Sequence, residues 1–153
     1  GSDRTRKALM GRAPEESLSS DAWSGAYSAE ATKTVYEELW RLGRVVLASG
    51  RPLVLDASFR TAELRTAARE LAEAFEVPFL FVECSAPREV MLRRLRARDE
   101  AEGHESDARA DLLDAFEAKY EPVPAPHGPD YLAIDTSQPA DENRQRLAEA
   151  LRA

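Results

Sequence analysis

Cysteine is scarce in this sequence, and the usual metal-binding motifs are missing. Cys84 is the one cysteine among 153 residues, so no disulfide can form within the chain, which favours a reducing, cytoplasmic setting. It ends an apolar run and is expected to be a buried, inert thiol. His104 and His127 are far apart, and no cysteine pair or HExxH pattern accompanies them, which argues against a structural metal site.

Long hydrophobic runs and an excess of positive charge are also missing. No apolar run approaches the roughly 20 residues that cross a bilayer, so no membrane span is expected. The 21 basic and 28 acidic residues give a net charge of −7, which argues against tight binding along a nucleic-acid backbone. A chain of 153 residues with 43% hydrophobic residues suits one globular domain with a real core.

Three short apolar runs predict β-strands at residues 52–57, 78–84 and 131–135. Each run is continuous rather than alternating, which is typical of strands that are covered on both faces of a parallel sheet. Helical patterns separate the runs, and this βαβ rhythm predicts an α/β fold.

Serine and threonine N-caps predict where the intervening helices begin. Ser28 is expected to cap a helix over about 29–49, which Gly50 ends. A last helix is expected over about 141–152. The other expected caps are Thr61, Ser85 and Ser106.

Asp56 follows the first apolar run directly, and the small residues Ala57 and Ser58 come next. The carboxyl end of a strand in an open α/β sheet faces the ligand crevice. A carboxylate there suits a phosphoryl-transfer site, because it can hold Mg²⁺ through a water or act as a base. The alternative is that Asp56 caps the turn or helix that follows it.

The N-terminal stretch SDRTRKAL combines an acid with an arginine. Asp3 and Arg6 are three residues apart, so on a helix they share one face, where one can accept a proton while the other binds a phosphate or carboxylate. An ordinary surface pair is the alternative. The irregular segment 11–27, which contains Trp23 and Tyr27, is either a loop over a site or a plain connection.

Arginines are concentrated between residues 88 and 98. Arg94 and Arg98 are four residues apart and align along the predicted third helix. An acidic stretch with a glycine follows, so residues 88–118 have the pattern of two helices joined by a turn, a lid whose arginines close over a triphosphate. The alternative is a solvated helix face on which neighbouring glutamates pair with the arginines.

Six stretches of the chain, taken together, are similar to P-loop kinases of the AAA_33 type. In family order they are SDRTRKALMG, AYSAEATKTVYEELW, ASGRPLVLDASF, FLFVECSAPREVMLRRLRARD, SDARADLLDAFE and AIDTS, which together span nearly the whole chain. The group is close to gluconate kinase, chloramphenicol phosphotransferase and polynucleotide kinase. The nearest resemblance is to the C-terminal ATP-binding half of bifunctional aminoglycoside-phosphotransferase-like proteins.

This resemblance implies a P-loop NTPase-like, three-layer αβα fold with a parallel sheet, and ATP and Mg²⁺ as cofactors. It implies that Asp3 is the general base for the accepting hydroxyl and that Asp56 occupies the magnesium-binding position. Arg6 and Tyr27 are assigned to binding of the acceptor. Arg94 and Arg98 match lid arginines that stabilise the transferring phosphoryl group. The residues expected near the nucleotide base are Asp135, Thr136 and Ser137.

The phosphate loop of that family, G-x-x-x-x-G-K-[ST], is missing from these 153 residues. The chain is therefore expected to be a single partial P-loop kinase domain, truncated by loss of its first two strands and phosphate loop. In the family strand order 2-3-1-4-5, the missing strand lies between 52–57 and 78–84. Because open sheet edges invite pairing, we expect these two segments to pair directly, or the missing N-terminal segment or a second chain to fill the slot.

The sequence thus favours part of an ATP- and Mg²⁺-dependent kinase that transfers the γ-phosphate to a hydroxyl of a small molecule. The isolated chain is expected to be inactive for lack of the phosphate loop. One alternative is a polynucleotide 5′-end kinase, which the acidic balance disfavours. Another is a catalytically silent module that senses a nucleotide or binds a partner.

Overall fold

The computed structural model describes residues 1–16, 18, 25–99 and 113–152. Within them the chain forms six α-helices, one short 3₁₀ turn and two β-strands. In chain order these are α1 (Ser2–Leu9), the 3₁₀ turn (Gly25–Tyr27), α2 (Ala29–Ala48), α3 (Ala62–Ala74), β1 (Phe81–Ser85), α4 (Arg88–Asp99), α5 (Leu113–Glu117), β2 (Tyr131–Asp135) and α6 (Ala140–Ala150).

The two strands form a parallel pair. Their register runs from Phe81 opposite Tyr131 to Ser85 opposite Asp135. The pairing continues at the carboxyl end, where the Thr136 N–H donates to the Ser85 carbonyl at 2.7 Å. A parallel sheet with helices between its strands confirms the predicted α/β class, and β2 has the predicted bounds.

Residues 52–57 do not form the predicted strand, and they pair with no strand in the described part of the chain. Direct pairing of this segment with β1, one of the two predicted alternatives, is therefore not found in the described residues. Just beyond the segment, the ring of Phe59 packs against the ring of Phe81 in β1, with centroids 6.3 Å apart. Val54 is left 89% exposed.

Cys84 was expected to be buried, and this is also wrong, since the residue is exposed. Exposure rises along β1 toward its carboxyl end, where Cys84 and Ser85 are both exposed. In the described part of the chain β1 pairs with β2 alone, so its other edge is open.

Local capping chemistry explains the helix starts. The Ser28 hydroxyl accepts the Ala31 N–H at 3.2 Å, and the Thr61 hydroxyl accepts the Leu64 N–H at 3.3 Å, which confirms both predicted caps. Gly50 follows α2 with a φ of +73°, a conformation that glycine adopts without strain.

The two remaining predicted N-caps, Ser85 and Ser106, are not confirmed. Ser85 does not cap the third predicted helix, because it still belongs to β1 and α4 begins at Arg88. The Pro87 carbonyl accepts the first helical bonds of α4 instead, from Val90 and Met91. Ser106 lies outside the described residues. The predicted last helix is confirmed as α6.

The core lies where α2 and α3 pack against the turn after Asp56. Tyr36 and Phe59 meet edge to face with ring centroids 5.8 Å apart, and Leu39 lies one turn beyond Tyr36. The buried members of the cluster are Val35, Tyr36, Leu39, Phe59 and Ala68. By contrast, α5 and α6 contain no buried residue. None of the described helices is both long and apolar enough to cross a membrane.

Candidate active site

The end of segment 52–57 meets the start of α1. The Ser2 N–H donates to the Asp56 carbonyl at 2.8 Å. The Asp56 carboxylate also faces this end of the helix, since a side-chain carbon on Gly1 would lie 3.3 Å from its Oδ2 atom. Asp3 is the next residue, in the first turn of α1. We call this meeting point of Ser2, Asp3 and Asp56 the acid junction.

The chain turns sharply after Asp56. Phe59 has a φ of +42°, in the left-handed region that bulky residues rarely adopt. Its N–H donates to the Tyr36 hydroxyl at 3.1 Å, and this hydroxyl lies 3.5 Å from the Ser58 hydroxyl. Sequence reasoning missed Tyr36, although a hydroxyl on an otherwise apolar helix face was the available signal.

The structure brings Arg6 and Tyr27 together, the two residues assigned to acceptor binding. Arg6 is 6% exposed, and its Nη1 donates to the Ala26 carbonyl at 2.5 Å. Its guanidinium carbon lies 4.5 Å from the centroid of the Tyr27 ring. Arg6 therefore ties the 3₁₀ turn to α1 beside Asp3, while its Nε remains buried without a hydrogen-bond partner.

Arg60 is a second guanidinium group near Arg6 that sequence reasoning did not single out. Burial lowers the pKa of Arg60, the Tyr36 side chain opposes this, and the positive charge of Arg6 lowers it further. The charges of these two arginines, one on α1 and one just before α3, therefore act on each other.

A second cluster forms at the carboxyl end of β2. Arg94 donates from Nη1 to the Thr136 hydroxyl at 2.9 Å and from Nη2 to the Thr136 carbonyl at 2.6 Å. Hydrogen bonds from Ser137 to the Asp135 carboxylate lower its pKa, helped by Gln138 and by the charge of Arg94. We call Arg94, Asp135, Thr136 and Ser137 the β2-end cluster.

The hydrogen bonds at these two groups lead to different parts of the chain. Those of Asp56 run to α1, whereas those of Arg94 run to Thr136. Arg98 is half-buried one turn beyond Arg94, and the middle of the predicted lid, residues 100–112, lies outside the described part. Within the described ranges no three His, Cys, Asp or Glu side chains are grouped to hold a metal.

A cavity beside the sheet lies away from both groups. It has a volume of about 350 Å³ and lies between α3 and the chain before β2. Its walls include Arg65, Phe79, His127 and Tyr131, and the last two rings stack with centroids 4.0 Å apart. None of the predicted site residues lines it.

Comparison with known families shows to which family the chain belongs. The AAA_33 family, described as an AAA domain, matches residues 1–123. The chain belongs to this family. Three uncharacterized proteins, one from Mycobacterium bovis and two from strains of Mycobacterium tuberculosis, are 32% identical to this AAA_33 chain over 120 residues. The match covers 78% of this chain and 22% of each relative, so the chain spans about a fifth of the length of these curated relatives.

A solved structure from Chloroflexus aurantiacus, described as that of a candidate kinase, is similar to the AAA_33 chain with a TM-score of 0.59. The match covers 98% of this chain and 78% of the other, at 17% sequence identity. At that identity the likeness concerns the fold, and it agrees with the mixed α/β architecture. The family match and the fold likeness agree on an AAA_33 domain of mixed α/β architecture.

Proposed function

We propose that this AAA_33 chain is part of an ATP- and Mg²⁺-dependent kinase that transfers the γ-phosphate to a hydroxyl group of a small molecule. The observation that carries the proposal is the acid junction. The 2.8 Å bond from Ser2 to the Asp56 carbonyl ties the helix of the proposed base to the chain that bears the proposed magnesium-binding acid. Phosphoryl transfer needs both acids near one another.

Asp3 is the proposed general base. It would accept the proton of the acceptor hydroxyl as the oxygen attacks the phosphorus atom. Arg6 and Tyr27, which contact each other beside Asp3, would form one wall of the acceptor site. Because Arg6 already binds the Ala26 carbonyl, its part is to hold this wall in place as well as to attract an anionic substrate.

Asp56 is the proposed contact to Mg²⁺. Magnesium usually binds proteins through one or two carboxylates and completes its octahedron with waters and substrate phosphates. A single exposed carboxylate fits that pattern, and the described residues offer no closed metal cage. When bound, the ion would neutralise charge on the β- and γ-phosphates.

The β2-end cluster is the proposed nucleotide side. Arg94 holds the backbone at Thr136, so Asp135, Thr136 and Ser137 have a fixed arrangement in which to meet the base of ATP. Arg98, on the same helix, is the proposed contact to the transferring phosphoryl group. For Arg94 to share that role, its guanidinium would have to leave Thr136 when the nucleotide binds.

The phosphate cradle is proposed to come from a segment outside this sequence or from a second chain. Two features support this. The apolar residues 52–57 lack a ladder partner in the described chain, with Val54 89% exposed, and β1 has an open edge there. A parallel strand between them would satisfy both sets of backbone groups.

The test is an Asp3→Asn substitution in the natural protein at full length. If Asp3 is the base, phosphoryl transfer falls by about 10² to 10⁴-fold with little change in the KM for ATP. Asp141→Asn is the matched control, because Asp141 is an exposed first-turn aspartate of α6 and its loss should leave transfer unchanged. Full activity of Asp3→Asn would show that Asp3 is not the general base.

The acceptor class is tested by supplying radiolabelled ATP with small alcohols and sugars in one arm and an oligonucleotide in the other. Transfer to small alcohols or sugars supports the proposal. Transfer to the oligonucleotide alone would assign a polynucleotide kinase. No transfer by the full-length protein to any acceptor would favour a silent module.

A further inference from the structure

One buried hydroxyl holds the turn that follows Asp56. Tyr36 is 4% exposed and Phe59 is 7% exposed, so their contact is shielded from water. The Phe59 N–H donates to the Tyr36 hydroxyl at 3.1 Å. A buried backbone N–H seldom goes without a partner, and here the partner is a side chain from another helix.

The conformation of this turn is one that the local sequence does not favour. A phenylalanine at a φ of +42° crowds its own Cβ against the backbone, and such residues persist only where their surroundings hold them. The Phe59 ring is held by contacts with the Tyr36 and Phe81 rings. The backbone of Phe59 is held at its N–H by the Tyr36 hydroxyl and at its carbonyl by Arg65 Nη1, which donates to it at 2.9 Å.

The turn is therefore fixed at both ends. At the first, the Asp56 carbonyl accepts the Ser2 N–H at 2.8 Å. At the second, Phe59 is bound to Tyr36, and only Ala57 and Ser58 stand between. With both ends fixed, the carboxylate of Asp56 keeps its direction toward the start of α1.

We propose that Tyr36 is a positioning residue, whose hydroxyl holds Phe59 in the left-handed conformation and thereby aims the Asp56 carboxylate at the acid junction. The catalytic consequence rests on the proposed function, whereas the structural consequence does not. Removal of the hydroxyl leaves the Phe59 N–H buried without a partner, so the residue relaxes to negative φ and the chain before it rotates.

The experiment compares Tyr36→Phe with the wild-type protein by NMR. Tyr36→Phe keeps the ring in the core and removes one oxygen atom. We expect the φ-dependent coupling of Phe59 to change to that of a negative φ, and its amide to exchange at least about tenfold faster. The carboxyl carbon of Asp56 should shift. Leu71→Val, a buried change on α3, is the control for general loosening of the core and should leave these signals in place.

A kinase assay of the full-length variants adds the functional readout. Tyr36→Phe should lower kcat by about 10- to 100-fold while the KM for ATP stays near the wild-type value, and Leu71→Val should change neither. Retention of a positive φ at Phe59 in Tyr36→Phe would overturn the proposal. So would a displaced turn with unchanged kcat. Lack of kinase activity in the wild-type protein would instead contradict the proposed function. The NMR measurement would still test whether Tyr36 holds Phe59 at positive φ.

Discussion

The acid junction, with Arg6 beside it, and the β2-end cluster, with Arg94 in it, each combine aspartate and serine with an arginine, but the arginines are held in different ways. At the acid junction, Arg6 is 6% exposed and the neighbouring turn is enclosed by the aromatic core. At the β2-end cluster, Arg94 is exposed, and its bonds to Thr136 are made at the protein surface.

The two kinds of contact indicate which half of the site is preorganised. Buried contacts hold the proposed acceptor side, including the bond from Arg6 to the Ala26 carbonyl, and salt screens buried contacts little. Charged hydrogen bonds hold the proposed nucleotide side, and these are readily exchanged for phosphate oxygens. The acceptor side is therefore expected to keep its form without ligand, while the nucleotide side rearranges its contacts when ATP binds.

The largest expected effect on stability comes from the core next to the acid junction. Leu39→Ala should lower the free energy of unfolding by about 2–5 kcal/mol, because Leu39 is 4% exposed and a cavity replaces it. Leu95→Ala, at a half-buried position on α4, should cost about 1 kcal/mol. Urea unfolding of both variants measures the two losses of stability. Equal losses would show that the core beside the acid junction is no more tightly packed than α4.

A smaller effect is expected from the buried arginine. Arg6→Lys should cost about 1.5–3 kcal/mol, because an ammonium group cannot both reach the Ala26 carbonyl and stack on Tyr27 as the guanidinium does. Arg4→Lys, at an exposed position of the same helix, is the control. A thermal melt of each variant is the measurement. Indistinguishable melting temperatures would show that Arg6 does not hold the 3₁₀ turn.

On the sheet, Glu83 accepts hydrogen bonds from the hydroxyls of Tyr120 and Tyr131. Burial, and after it Glu83, raises the pKa of Tyr131 to about 12 from 10.0. The folded state thus holds the phenolic proton more tightly than the unfolded state. Its contribution to stability is complete below pH 10 and is lost as the pH rises to about 12.

Glu83→Gln removes the carboxylate charge and should move the Tyr131 titration toward pH 10, leaving the effect of burial. Absorbance of the phenolate during an alkaline titration follows this change. A titration curve identical to that of the wild type would mean that Glu83 has no influence on the two tyrosines.

The smallest effect is expected where α4 and α5 meet at the surface. Arg88 forms ion pairs with Asp114 and with Glu117 there, and its side chain is 47% exposed. Arg88→Gln should lower the melting temperature slightly in dilute buffer and not at all in 1 M salt, where the screening length is about 3 Å. A loss that persists in high salt would show that packing, not charge, joins these helices.

Local physics made part of this fold predictable. The hydroxyls of Ser28 and Thr61 each accept a backbone N–H from the residue three positions later. Donor and acceptor are neighbours in the sequence, so the caps can be predicted from it. The residues of β2 form a strand in the predicted place. Segment 52–57 has an equally apolar sequence, but a strand exists only with a hydrogen-bonded neighbour, and none of the described chain supplies one.

Some residues of the candidate site could also be predicted from the sequence, and others could not. Asp56 was identified from its place at the end of a predicted strand, and Asp3 from its spacing to Arg6. In the structure the residue before Asp3, Ser2, donates its N–H to the Asp56 carbonyl. Tyr36 was not identified, because its partner Phe59 is 23 residues away and only the folded chain joins them. The proximity of Arg60 to Arg6 has the same origin. The roles proposed for these residues stay predictions until the variants are measured.

Cys84 lies on β1, whose second edge pairs with no strand in the described residues, and its thiol can report on that edge. Cys84 is the single cysteine of the sequence, and it is exposed near the carboxyl end of β1. A maleimide dye would therefore attach at one known place without any engineered residue. A polypeptide that adds itself along this edge would shield the sulfur, so the labelling rate would report how much of the protein has found such a neighbour.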